Sequence, residues 1–117
     1  MNDLKENLIY IRKELEALYV ADYTDEEREE REQNGEETNF FDYVANSLDI
    51  EYRVDSKGEY RGAYIWVTLG GPNIQIDTFS GYIKGAWGSD REEIWLPREI
   101  ANEIDFVCEE YYNMGRM

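Results

Sequence analysis

Residues 50–87 read IEYRVDSKGEYRGAYIWVTLGGPNIQIDTFSGYIKGAW. Three turn signals, Asp55-Ser-Lys-Gly58, Gly70-Gly-Pro-Asn73 and Asp77-Thr-Phe-Ser-Gly81, divide it into short β-branched and aromatic runs. That punctuation is the signature of an antiparallel meander. Ile50, Tyr52 and Val54 alternate with Glu51, Arg53 and Asp55, and Ile74 and Ile76 alternate with Asn73, Gln75 and Asp77. Each strand therefore has one apolar face, as in a sheet covered on one side. Strands are expected at about residues 50–55, 60–69, 73–78 and 81–87. In the second, Ala63, Ile65, Val67 and Leu69 form an aliphatic face assigned to the core. Tyr60, Tyr64 and Trp66 form an aromatic strip on the other face, with Tyr82 on a neighbouring strand as a further candidate. Ile94-Trp95-Leu96 reads as a short edge strand or a loop anchor.

Helices flank the meander. Leu4, Leu8, Ile11, Leu15 and Leu18 repeat at spacings of four and three, which predicts one apolar stripe on a helix over about residues 3–20. Asn2 or Asp3 can cap its start. A second helix is expected over about 40–48, capped by Thr38 or Asn39, with Phe40 or Phe41, Val44 and Leu48 inward. Pro97 suits the first position of a last helix over about 97–112, where Ile100, Ile104, Val107 and Tyr111 share a face. The expected architecture is α+β, with a four-stranded antiparallel β-meander packed by N- and C-terminal helices. The chain of 117 residues is expected to be one domain, 1–117, with an acidic helical insert at about 22–38.

That insert carries the main compositional signal. Thr24 and Glu27 form a capping box, and Asn34-Gly35 supplies a stop, so a helix of about residues 25–33 is predicted. It has no apolar side chain at all. Such a helix is either a solvated protrusion or a segment that orders against a partner. The whole chain has 27 acidic and 12 basic residues, a formal charge of -15, where a magnitude of about 2–8 is ordinary. Asp22–Glu37 has nine acids against two arginines and Asp90–Glu110 eight against two, so these segments hold thirteen of the fifteen net charges. This balance repels nucleic acid and anionic membrane and attracts basic protein surfaces.

Catalytic chemistry has little support. There is no histidine, which removes Ser-His and Cys-His pairs and most transition-metal sites. Cys108, the single cysteine, stands beside Val107 in the last helix and reads as a packed hydrophobe. Gly70-Gly71 precedes a strand rather than a helix, unlike a phosphate loop. The acid runs lack the alternate order and central glycine of a calcium loop. A non-enzymatic protein without metal or cofactor is expected. The lone cysteine and the absence of a long apolar run or a signal-peptide layout lead to the expectation of a soluble, cytoplasmic protein.

In size and acidity the chain resembles the anti-CRISPR and antirestriction proteins of phages and conjugative elements, small inhibitors that imitate DNA. Gly70-Gly-Pro-Asn-Ile-Gln-Ile-Asp77, Gly85-Ala-Trp-Gly88, Glu103-Ile-Asp and Glu109-Glu-Tyr-Tyr are similar to stretches in small proteins of such elements. The resemblance implies a host-cell cytoplasmic setting and, as partner, a basic nucleic-acid-binding protein such as a Cas effector or a restriction enzyme. The expected contact residues are Asp25, Glu26, Glu27, Glu29, Glu30 and Glu32, then Glu36 and Glu37, with Asp90, Glu92 and Glu93 as a second patch. The alternative is an immunity or adaptor module that binds one basic protein through Tyr60, Tyr64 and Trp66. That alternative needs the aromatic face open, whereas the N-terminal helix could equally cover it.

Overall fold

A computed structural model describes residues 3–115. The elements run α1 (Asp3–Val20), α2 (Asp25–Gln33), α3 (Phe40–Ala45), β1 (Asp49–Val54), β2 (Tyr60–Thr68), β3 (Asn73–Asp77), β4 (Tyr82–Trp87), β5 (Asp90–Trp95) and α4 (Arg98–Gly115). The candidate cap Asn2 lies outside the described residues. The sheet is an antiparallel meander in the order β1-β2-β3-β4-β5.

The sheet therefore has five strands, not four. Asp90, Arg91, Glu92 and Glu93 look like a polar loop, but a two-residue hairpin turn at Gly88-Ser89 returns them along β4. Gly88 takes φ 62, the left-handed geometry such turns demand. An outer strand tolerates this polarity because only Ile94 on it enters the core.

One face of the sheet is covered and the other is bare. Ile65, Ile76, Ile83 and Ile94 stand in register across four strands, and all are buried. Leu4, Leu8, Ile11 and Leu15 of α1 and Ile100, Ala101, Ile104, Val107 and Cys108 of α4 are buried in the same cluster. A methyl group at Gly85 would lie 2.8 Å from Leu4 Cδ1 and 3.0 Å from Leu8 Cδ2, so glycine lets α1 sit close on β4. The N-terminal helix thus covers the aliphatic face and leaves the aromatic one open. No helix among the described residues is long and apolar enough to cross a membrane.

Two bulges on β2 overturn parts of the simple alternation. Arg53 pairs with Gly62 but Val54 pairs with Tyr60, leaving Arg61 as an extra residue. Tyr60 is thereby turned to the helix side, away from Tyr64 and Trp66. Its hydroxyl donates to Asp105 Oδ1 of α4 at 2.7 Å, and its ring packs with Tyr52 and Tyr112. Thr78 donates to the same carboxylate oxygen at 2.7 Å and accepts from the Ala63 N–H at 2.9 Å, tying sheet to helix. Burial and the Asp105 carboxylate push the Tyr60 phenol well above its ordinary range. Tyr60→Phe should cost about 1.5 kcal/mol, since a hydrogen bond to a charged acceptor is lost. Urea unfolding at neutral pH measures it, and an unchanged midpoint would remove this bond from the stability account.

Val67 is the second extra residue, because Trp66 pairs with Gln75 and Thr68 with Ile74. Val67 still packs against the core, but Leu69, expected inside, falls beyond the strand and is exposed. Leu48 is exposed as well, because α3 ends at Ala45 with Asn46 as its C-cap. On β1 the apolar face is thinly covered: Ile50 is half-buried, whereas Tyr52 and Val54 are exposed.

Candidate functional site

The acidic insert is built as local chemistry dictates. Thr24 Oγ1 accepts from the Glu27 N–H at 3.2 Å and donates to Glu27 Oε1 at 3.0 Å, closing the first turn of α2. Gly35 at φ 75 reverses the chain, and the Glu36 N–H then donates to the Arg31 carbonyl at 2.8 Å. No residue of α2 is buried. What anchors it is Arg31. Its guanidinium lies 4.6 Å from the Tyr23 ring centre and donates through Nε and Nη2 to the Glu37 carbonyl at 3.1 and 2.9 Å.

The anchor orients the carboxylates. At about 100° per residue, Arg28 and Arg31 share one side of α2, and Glu32, Asp25, Glu29, Glu26 and Glu30 fill an arc of roughly 160° beside them. With Arg31 turned inward, that arc faces solvent, and all of these residues are exposed. Glu27 is the odd member, held by the Thr24 hydroxyl. The Arg28–Asp25 ion pair, 3.9 Å across and exposed, neutralises little. Six acids against two arginines leave four net charges on a helix about 13.5 Å long, roughly one per 3.4 Å. That is the charge spacing of about one DNA strand.

Not every expected acid joins this surface. Glu36 faces Arg31 at 3.5 Å. Glu37 is half-buried and turns toward Glu14 and Tyr43, where it helps line a pocket of about 200 Å³. Burial and then the Glu37 charge raise the Glu14 carboxyl above its usual range. Burial and the same two carboxylates push the Tyr43 phenol far up. The second patch divides. By strand alternation Glu92 shares the helix-side face with Gly85, while Glu93 stands opposite Lys84 on the bare face.

That bare face holds the second candidate surface. Tyr64, Asp77, Tyr82 and Trp95 form one row across β2 to β5, and Trp66, Gln75, Lys84 and Glu93 form the next. Trp66 Nε1 donates to Glu51 Oε1 at 2.6 Å, standing the indole at the edge of a groove of about 590 Å³. Asn73, Gln75, Lys84, Ala86, Arg91 and Glu93 line the groove with it, and Gly85 and Glu92 between them also border it. Asp77, in the row beside the groove, is the electrostatic node of this face. Burial alone would raise its carboxyl, but the Lys84 ammonium at 3.0 Å and the N–H groups of Phe79 and Ser80 at 2.9 and 3.1 Å hold it below the usual range. Lys84 is raised in turn, chiefly by its bond to Asp77 and further by Glu93.

Sequence reasoning missed Trp95 and the Arg53–Phe79 contact, in which the guanidinium lies 3.9 Å from the ring centre. Trp95 was visible only once β5 was known to pair with β4 and set it beside Tyr82. Phe79 belongs to a turn that folds back over Gly62, where a methyl group would lie 2.8 Å from Phe79 Cβ. Cys108 is fully buried, and burial followed by the Asp105 charge pushes its thiol up to about 12. Among the described residues, no group of three or more His, Cys, Asp or Glu side chains could hold a metal ion. No protein-family model, no curated protein and no solved structure matches the chain.

Proposed function

We propose that the protein binds the nucleic-acid channel of a basic protein, with the carboxylates of α2 standing in for phosphates, and so inhibits that protein stoichiometrically. The observation that carries this reading is the outward arc of Asp25, Glu26, Glu29, Glu30 and Glu32 on a helix that buries nothing. A helix with no apolar face and no buried residue contributes nothing to the core, so its outer side is free to serve an external contact. A nuclease of the Cas or restriction kind is the partner class that the resemblance implies. Duplex DNA should compete with the protein for that partner. Affinity should also fall steeply as salt rises, since exposed charges are screened within about 8 Å at physiological ionic strength. A partner bound equally well in excess duplex DNA would sink the reading.

The bare sheet face supports a second reading, an adaptor that grips one basic protein through Tyr64, Trp66, Tyr82 and Trp95. Tyr60 has no part in it, because the Arg61 bulge turns its ring to the helix side. Replacing Tyr64 and Trp66 together by alanine distinguishes the two. Charge mimicry predicts an affinity within about twofold of wild type, whereas an aromatic hot spot predicts a loss of about 30-fold or more. Calorimetric titration against the partner reads the difference directly.

A further inference from the structure

The strand β1 ends the sheet, and its free edge is regular because both bulges lie on β2. The Asp55 N–H bonds the Glu59 carbonyl across the hairpin, so by alternation Arg53, Glu51 and Asp49 point their backbone groups at β2. The backbone groups of Ile50, Tyr52 and Val54 then point outward. In agreement, the Ile50 N–H is met by the carboxylate of its neighbour Asp49 at 2.9 Å.

We propose that two copies of this chain join edge to edge through β1, antiparallel and twofold symmetric, with Tyr52 opposite Tyr52 of the second copy. The side chains of β1 are self-complementary in this register. On the bare face Glu51 meets Arg53 of the second copy, twice by symmetry. On the helix side Ile50 meets Val54 of the second copy, again twice, and the Tyr52 rings meet on the axis. Roughly six backbone hydrogen bonds form between the strands, two of them once each Ile50 N–H exchanges the Asp49 carboxylate for the Val54 carbonyl of the second copy. A shift of two residues would set Glu51 against Glu51 of the second copy, so charge selects the register.

The surroundings fit a second copy. Tyr52 and Val54 are 36% and 45% exposed on a strand that has no strand neighbour on its outer side, a combination that invites strand addition. Beside it runs a groove of about 340 Å³ lined by Val44, Ser47, Ile50, Tyr52 and Tyr111, where the apolar side chains of the added strand would lie. The other outer strand is a poor alternative. A β5 pair centred on Arg91, Glu92 or Glu93 sets like charges opposite each other, and α1 packs against β5.

The test is sedimentation equilibrium of the full chain at about 0.1 mM, in about 0.15 M salt to screen the two net charges. The wild type should show twice the 13.9 kDa monomer mass. Glu51→Arg sets two arginines against two, and Arg53→Glu sets two glutamates against two. Each variant alone should dissociate at least about tenfold more readily. Mixed one to one, the two variants restore both opposite-charge contacts and should recover the dimer. Circular dichroism checks folding. If Glu51→Arg fails to fold for want of its bond to Trp66, Arg53→Glu and Val54→Pro carry the test, the latter deleting one outward N–H. A monomeric wild type overturns the proposal, and so does a dimer that Arg53→Glu and Val54→Pro leave intact.

Discussion

Replacing Asp25, Glu26, Glu27, Glu29, Glu30 and Glu32 together by glutamine should leave the fold intact and weaken binding of the basic partner roughly a thousandfold. The fold is insensitive because α2 has no buried residue and glutamine is nearly as good a helix former as glutamate. The first turn loses some favourable charge near its N–H groups, an effect of a few tenths of a kcal/mol per residue. Relief of repulsion among neighbouring carboxylates offsets part of that. The binding loss is large because the interaction is a sum over many charges. In the nucleic-acid analogue, six to ten phosphate contacts make affinity change by about 10³–10⁵ over a modest salt range. The variant should therefore also show a much shallower dependence of affinity on salt. Surface plasmon resonance at several salt concentrations measures both quantities. Full affinity in the six-residue variant would exclude α2 from the contact.

The largest effect on stability is expected at Asp77. Its side chain is 4% exposed and holds three donors, the Lys84 ammonium and the Phe79 and Ser80 N–H groups. Asp77→Ala leaves the turn between β3 and β4 without two of its bonds and Lys84 without its closest carboxylate. About 3 kcal/mol should be lost, a fall in Tm of about 10 °C for a domain of this size. The pH dependence has a definite sign. Because the folded-state carboxyl is held below its ordinary value, the stabilisation is present above about pH 4 and disappears as pH falls through the lower, folded-state value. Wild-type stability should therefore drop on acidification below that range, while Asp77→Asn should start lower and fall less. Thermal melts of the two proteins from neutral to acid pH give the comparison. Parallel curves would show that another carboxylate sets the acid limb.

Much of this molecule is written in local pattern. The four-and-three spacing of Leu4, Leu8, Ile11, Leu15 and Leu18 placed α1 at about residues 3–20, because apolar residues at that period fall on one face of a helix, and the described helix runs Asp3–Val20. Thr24, Glu27 and Gly35 likewise delimited α2, since caps and left-handed turns depend on residues within one helical turn of each other. The acidic surface was legible for the same reason: a helix with no apolar residue has to be exposed. What the chain order alone left open depends on contacts between distant residues. The strand status of Asp90–Trp95 required β4 as its partner, and the reversal of Tyr60 required the Arg61 bulge against Arg53. The division of Glu92 from Glu93 is a two-residue alternation that acquires meaning only beside Gly85 and Lys84. Sequence alone therefore determined the helices, the first three turns of the meander and the charge, each set within a few residues. Tertiary structure decided which face α1 covers, which aromatics remain bare and which carboxylates stand together, because those depend on register between strands far apart in the chain.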